Sequence, residues 1–244
     1  MLEKVDILGV EFDYVTQQEI LNILHQKIER NKKAFVVTAN PEIVMHANKD
    51  PQYMNTLHFA NHIIADGIGI IIGSKIIRQP LPERVAGFDL MVELLNIANQ
   101  EGLRVFFLGA KEQTLEQMIP KIKREYPKLV IAGYHHGFFK GHEHTIVQMV
   151  KEAKADLVFV ALGFPKQEEW IQKNIDSFEK GIFMGIGGSF DILAGTAKRA
   201  PVFWRKLNIE WLHRLIQQPS RWRRMLALPI FVKKIFQHKR KNSR

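Results

Sequence analysis

Asp66 closes the apolar run Ile63-Ile64-Ala65 and is followed at once by Gly67-Ile68-Gly69. A carboxylate where a strand gives way to a loop can take a proton from a substrate hydroxyl, a step that contributes about 10²- to 10⁴-fold in rate when the base is well placed. The position suits a turn or helix-capping aspartate equally well. Thr38-Ala39-Asn40-Pro41-Glu42 ends another run. Thr38 and Asn40 offer neutral donors and acceptors to a polar substrate, Pro41 is a good first residue of a helix, and Asn40 is as good a cap for it. Arg84, in Pro82-Glu83-Arg84-Val85-Ala86-Gly87-Phe88-Asp89, presents a planar fork that fits a pyrophosphate, or simply solvent.

A second group of residues is marked by glycine. Three runs end in it where a helix should begin: Phe107-Leu108-Gly109-Ala110, Ala161-Leu162-Gly163-Phe164-Pro165 and Met184-Gly185-Ile186-Gly187-Gly188. Glycine permits close backbone approach to a phosphate or a sugar, and Asp191 just beyond Gly187 and Gly188 can accept from a uracil or ribose edge. Lys166 and Gln167 stand at an expected helix start, where backbone N–H groups attract anions. No G-x-G-x-x-G opens a helix and no G-x-x-x-x-G-K-[ST] occurs, which disfavours a nicotinamide enzyme or a P-loop NTPase. The histidine pairs (His58 and His62, His135 and His136, His142 and His144) lack the acidic partner of a motif such as H-E-x-x-H, and there is no Asp-x-Asp to chelate a nucleotide diphosphate through a divalent cation. No metal or other cofactor is expected, so arginine and backbone donors would have to stabilise any pyrophosphate.

The elements that must hold these residues follow from period and punctuation. Short β-branched or aromatic runs at 34–39, 61–66, 104–110, 129–133, 156–163 and 181–186 predict strands. Between them, helices are predicted over 16–30, with Thr16 as N-cap and Glu19 three residues on, and over 89–100, 112–125, 143–154 and 166–177. Alternating strand and helix implies an α/β core over 1–195, Rossmann-like in its largely parallel, helix-covered sheet, with its ligand crevice at the carboxyl ends of the strands.

The 244 residues, 46% hydrophobic, are enough for one substantial core with an appendage. The absence of cysteine excludes disulfide staples and thiolate metal sites and fits a reducing compartment. The start of the chain shows no secretory signal, so a cytoplasmic location is expected. No apolar run approaches the roughly 20 residues needed to cross a bilayer. The net charge of +10 is concentrated: residues 196–244 hold fourteen Lys or Arg against one acid, Glu210, a balance of +13, and the rest is slightly acidic at −3. Trp204, Leu207, Trp211 and Leu215 lie at helical spacing, Pro219 should divide the tail into two helical pieces, and Trp222 to Phe236 has the mixture of a segment lying in a membrane interface. An amphipathic helix docked on the core explains the same pattern. The charge also suits nucleic acid, though that leaves the glycine-rich strand ends unexplained.

Taken in order, Thr38/Asn40-Pro41-Glu42, Ala65-Asp66-Gly67, Arg84 to Asp89, Phe107 to Ala110, Gly133 to Phe139, Leu162 to Glu168 and Gly187 to Pro201 resemble the WecG/TagA/CpsF family of bacterial glycosyltransferases across nearly the whole chain. The resemblance, nearest to the wall teichoic acid branch, implies transfer of N-acetylmannosamine from UDP to the 4-hydroxyl of N-acetylglucosamine on undecaprenyl pyrophosphate. It implies an inverting, metal-independent reaction with Asp66 as general base. A donor carrying N-acetylmannosaminuronic acid or a plain hexose fits the family too. Thr38, Asn40 and Gln167 would position the sugars, and Gly109, Ala110, Gly163, Gly187, Gly188 and Asp191 would hold UDP. The basic segment over 196–244 would seat the enzyme on the inner face of the cell membrane, with Arg214, Arg221 and Arg224 reaching the pyrophosphate alongside Arg84. No nucleic acid is expected as a partner, and the apolar face of the tail offers a surface for a homodimer or homotrimer.

Overall fold

The computed structural model describes residues 2–206, 210–217, 222 and 226–242. The chain opens with a hairpin, β1 (Lys4–Ile7) and β2 (Val10–Asp13), which the sequence analysis did not mark as strands. Leu8 and Gly9 between them both take positive φ. That is the two-residue turn whose twist matches that of the paired strands. Val5, Ile7, Val10 and Phe12 are buried on one side of it, and the buried Asp13 Oδ2 bonds to His62 Nδ1 at 2.7 Å. His62 thus has an acidic partner 49 residues away.

His62 begins the second strand of the main sheet, which comprises β3 (Lys33–Ala39), β4 (His62–Ala65), β5 (Arg104–Gly109), β6 (Val130–His135), β7 (Leu157–Ala161) and β8 (Gly181–Gly185). Every pairing is parallel, in the order β4-β3-β8-β7-β5-β6. All residues of β7 and β8 are buried, which is why they read as unbroken apolar runs: a parallel sheet is covered on both faces.

One face carries α1 (Gln17–Glu29), α5 (Gly87–Glu101), α6 (Glu112–Glu125) and the short α9 (Ser189–Ala194). The other carries α2 (Pro41–Ala47), α3 (Pro51–His58), α4 (Ile68–Ile76), α7 (Glu143–Ala153) and α8 (Lys166–Asn174), the last continued by a 3-10 turn over Ile175–Ser177. Thr16 caps α1 in the reciprocal manner its sequence predicts. The Glu19 N–H donates to Thr16 Oγ1 at 3.2 Å, and the Thr16 N–H donates to Glu19 Oε2 at 2.7 Å. The chain leaves β5 toward the α6 face and its neighbour β7 toward the α8 face. Those connections diverge, and the crevice between them opens at the carboxyl edge of the sheet.

The basic tail forms α10 (Val202–Lys206), α11 (Glu210–Gln217) and α12 (Ala227–Asn242). Pro219 lies outside the described residues. α12 packs across α2 and α4, with Phe231 and Ile235 fully buried. Two glycines four apart on α4 admit it: a Cβ at Gly73 would stand 3.0 Å from the Phe231 ring, and one at Gly69 would stand 2.7 Å from Leu228. Burying each of the two large side chains contributes about 1.5–3 kcal/mol. No helix among the described residues is long and apolar enough to cross a membrane.

Candidate active site

Asp66 stands directly after β4, and its backbone is pinned on both sides. Its N–H donates to the Ala39 carbonyl at 2.9 Å, and the Val85 N–H donates to the Ala65 carbonyl at the same distance. These bonds bring the start of α5 over the end of β4. The Gly87 N–H then donates to Asp66 Oδ2 at 3.4 Å. Arg84 Nε lies 3.6 Å from Asp66 Oδ1, an ion-pair contact longer than a hydrogen bond. Arg84 also reaches into the tail, where Nη2 donates to Glu210 Oε2 at 3.1 Å. Side-chain exposure falls from 32% at Asp66 to 17% at Arg84 and 8% at Glu210, so Asp66 is the open end of the three. It faces a cavity lined also by Asn40, Arg199 and Trp211.

Asn40 is the cap of α2, its Oδ1 accepting from the Ile43 N–H at 3.1 Å. Thr38 lies one layer beneath. Its Oγ1 donates to the Gly185 carbonyl at 3.4 Å, and its side chain fills the space where Gly87 has no Cβ, which would meet it at 2.9 Å. Thr38 therefore supports the loop that donates to Asp66, and it is not among the residues lining the cavity. Arg199, from the basic tail, is held by Asp89 in the first turn of α5. Its Nη2 contacts the carboxylate at 2.6 Å, and its guanidinium carbon lies 4.6 Å from the centre of the Phe88 ring.

The glycine group forms the adjoining part of the carboxyl edge. Gly109 has positive φ, and a Cβ there would come within 2.4 Å of the Ala161 backbone. Only glycine lets β5 and β7 run this close. Ala110 follows with its N–H on the Ala161 carbonyl at 2.9 Å. Gly163, with open space on its Cα, accepts from the Gln167 N–H at 3.0 Å, and a cis peptide joins Phe164 to Pro165 between them. The Gln167 side chain is buried and turned inward: Oε1 accepts from the Gly187 N–H at 3.0 Å, and Nε2 donates to Glu168 Oε1 at 2.6 Å. Burial pushes the Glu168 carboxyl up to about 7, against the opposing hydrogen bond from Gln167. Gly188 leads into α9, where Asp191 Oδ1 accepts from Thr114 Oγ1 at 3.2 Å, tying the loop to α6.

The structure thus gathers Asp66, Arg84 and Asn40 around one cavity and Gly109, Ala110, Gly163, Gln167, Gly187, Gly188 and Asp191 along the neighbouring strand ends. The Arg214 side chain, Arg221 and Arg224 lie outside the described residues. Glu210, Arg199 and Glu168 are additions that local sequence does not single out. Among the described residues no group of three or more His, Asp or Glu is placed to hold a metal ion.

A family model described as "Glycosyl transferase WecG/TagA/CpsF family" matches residues 5–244. Two curated relatives carry the name N-acetylglucosaminyldiphosphoundecaprenol N-acetyl-beta-D-mannosaminyltransferase. The protein from Bacillus spizizenii (strain W23) is 40% identical over 237 residues, covering 96% of this chain and 92% of its own. That from Staphylococcus aureus (strain MW2) is 41% identical over 240 residues, covering 98% and 94%. The match runs through the Asp66 cavity, the glycine strand ends and the basic tail alike, and the chain accordingly belongs to the WecG/TagA/CpsF family of glycosyltransferases.

Proposed function

We propose that this glycosyltransferase moves N-acetylmannosamine from UDP to the 4-hydroxyl of N-acetylglucosamine on undecaprenyl pyrophosphate, with inversion and with Asp66 as general base. The observation that carries the reading is the Asp66 carboxylate: it is the open member of a charged group at a strand's carboxyl end, oriented by the Gly87 N–H on one oxygen and by Arg84 on the other. The names of the two relatives supply donor sugar and acceptor.

In this reading the acceptor hydroxyl approaches Asp66, gives up its proton to the carboxylate and attacks the anomeric carbon from the side opposite UDP. The bond to the β-phosphate oxygen breaks, and that oxygen leaves with the electron pair. UDP lies in the crevice past β5, β7 and β8, against the glycine turns and Asp191. Arg84 and Arg199 are the described cations nearest the reacting end, and Arg214, Arg221 and Arg224 are proposed to add to them at the pyrophosphate. No metal takes part. Asn40 contributes to the sugar pocket; Thr38 and Gln167 act through the loops they support.

The acceptor lipid places the reaction at a membrane, and the basic segment over 196–244 is proposed to hold the enzyme there, on its cytoplasmic face. Each Lys or Arg near an anionic surface contributes about 1 kcal/mol. α12 turns Phe231 and Ile235 to the core while leaving Ile230 and Phe236 exposed, and Trp222 is exposed ahead of it, so one tail can dock on the core and still offer apolar side chains outward.

The test is UDP release from UDP-N-acetylmannosamine in EDTA-treated buffer, with and without a lipid pyrophosphate-linked N-acetylglucosamine. Acceptor-dependent release supports donor, acceptor and metal independence together. Release only with UDP-N-acetylmannosaminuronic acid or a UDP-hexose would replace the donor, and release that requires a divalent cation would overturn the metal-free step.

A further inference from the structure

Glu168 is 1% exposed, and burying a carboxylate this far is a costly way to fill space. Its surroundings show what the charge does there. Glu168 Oε1 accepts from Gln167 Nε2 at 2.6 Å, and the other end of the same amide, Oε1 of Gln167, accepts from the Gly187 N–H at 3.0 Å. The pair sits on bare backbone: a Cβ at Gly185, the last residue of β8, would stand 2.7 Å from Gln167 Nε2 and 3.1 Å from Glu168 Oε1. The buried Tyr53 hydroxyl of α3 faces the same carboxylate.

A glutamine amide has two ends of opposite hydrogen-bonding character, and turning it over swaps them. Turned over here, Gln167 would set its oxygen against the Glu168 carboxylate and its NH2 against the Gly187 N–H. Both contacts would then be mismatched. A buried acceptor beside Nε2 therefore selects the orientation in which Oε1 meets Gly187.

We propose that Glu168 is a positioning residue for the turn after β8: it fixes the orientation of Gln167, which in turn holds the Gly187 N–H and sets the turn leading to Asp191. Gln167 then works on the loop from beneath. The functional consequence rests on the reading above, in which this turn receives the nucleotide end of the donor; the geometric claim does not.

Amide hydrogen exchange on the full, ligand-free chain tests it, read at Gly187 with the β3 amides as a control for global opening. Glu168→Ala and Gln167→Ala should each speed exchange at Gly187 about tenfold, the loss of roughly one hydrogen bond. The double variant should match Gln167→Ala within about twofold, because Glu168 acts through Gln167. Glu168→Gln, which still presents an acceptor oxygen, should restore slow exchange. If Glu168→Ala also opens the β3 amides, Glu168→Leu, close in volume and without an acceptor, takes its place. Unchanged exchange at Gly187 in the variant lacking the acceptor, or effects that multiply in the double variant, would overturn the assignment. UDP binding to the wild-type chain, followed by calorimetry, is a separate readout: its absence would count against the nucleotide reading and leave the exchange result to decide the role of Glu168.

Discussion

Arg84 Nη2 donates to Glu210 Oε2 at 3.1 Å across 126 residues of sequence, so an acid from the basic tail is held by the same guanidinium that stands 3.6 Å from Asp66. Tail and base share one side chain. Glu210 is buried, and replacing it with alanine removes a partner from a largely desolvated cation. Glu210→Ala should therefore lower stability by about 1–3 kcal/mol and reduce transfer, as measured by urea unfolding and UDP release. A change under about 0.5 kcal/mol, within what exposed pairs give, would show that the contact holds nothing in place.

The docking of α12 gives a second expectation. Phe231 is fully buried against α4, and Phe→Ala changes in such settings cost about 3–5 kcal/mol. Phe231→Ala should expose the tail to limited proteolysis before the core unfolds. Gly73→Val should do the same from the other side, because its Cβ would stand 3.0 Å from the Phe231 ring and its branches would come closer still. A tail equally protected in both variants would contradict the packing.

Glu168 makes stability depend on pH in a stated direction. Its carboxyl is raised by burial from 4.5 to about 7, so the folded chain binds that proton more tightly than the unfolded one. The stabilisation this gives is fully present below about pH 4.5 and is lost as pH rises through about 7, a span worth about 3 kcal/mol. Tyr53 on α3 faces the group, and Glu169 lies beside it on α8. The Glu169 charge raises the carboxyl as burial does, and the hydrogen bond from the Gln167 amide only partly opposes them. Glu168→Gln lacks the titration. Its stability relative to wild type should rise between about pH 4.5 and pH 7 and level off above, whereas a constant difference would place the group's titration elsewhere.

Much of this architecture is legible in the sequence, for reasons that also mark where the reading stops. Five of the six sheet strands announce themselves because a parallel sheet buried on both faces needs unbroken apolar runs, and the edge strand β6, with no fully buried residue, shows through its short β-branched run alone. The capping box of α1 is a local pattern and is found as such. The β1–β2 hairpin escapes because charged residues alternate with the apolar ones in both strands, Lys4-Val5-Asp6-Ile7 and Val10-Glu11-Phe12-Asp13, so neither forms an apolar run as the equally short β4 does. In Ile68-Gly69-Ile70-Ile71-Ile72-Gly73, glycines that suggest a flexible loop belong to a helix, where their missing side chains make room for α12. Asp66, Arg84 and Asn40 stand out through their places beside glycine and proline, and they meet at one cavity. Arg199 and Glu210 do not, since their partners Asp89 and Arg84 are 110 and 126 residues away. Nor does sequence separate a surface Glu168 from a buried one, and the inward turn of Gln167 depends on that difference.

Asp66→Asn tests the central claim most directly, because it keeps the shape and the acceptor oxygen while removing the base. Acceptor-dependent UDP release should fall by about 10²- to 10⁴-fold in the variant, with UDP affinity close to that of wild type. Release within a few-fold of wild type would remove Asp66 from the proton transfer and the account with it.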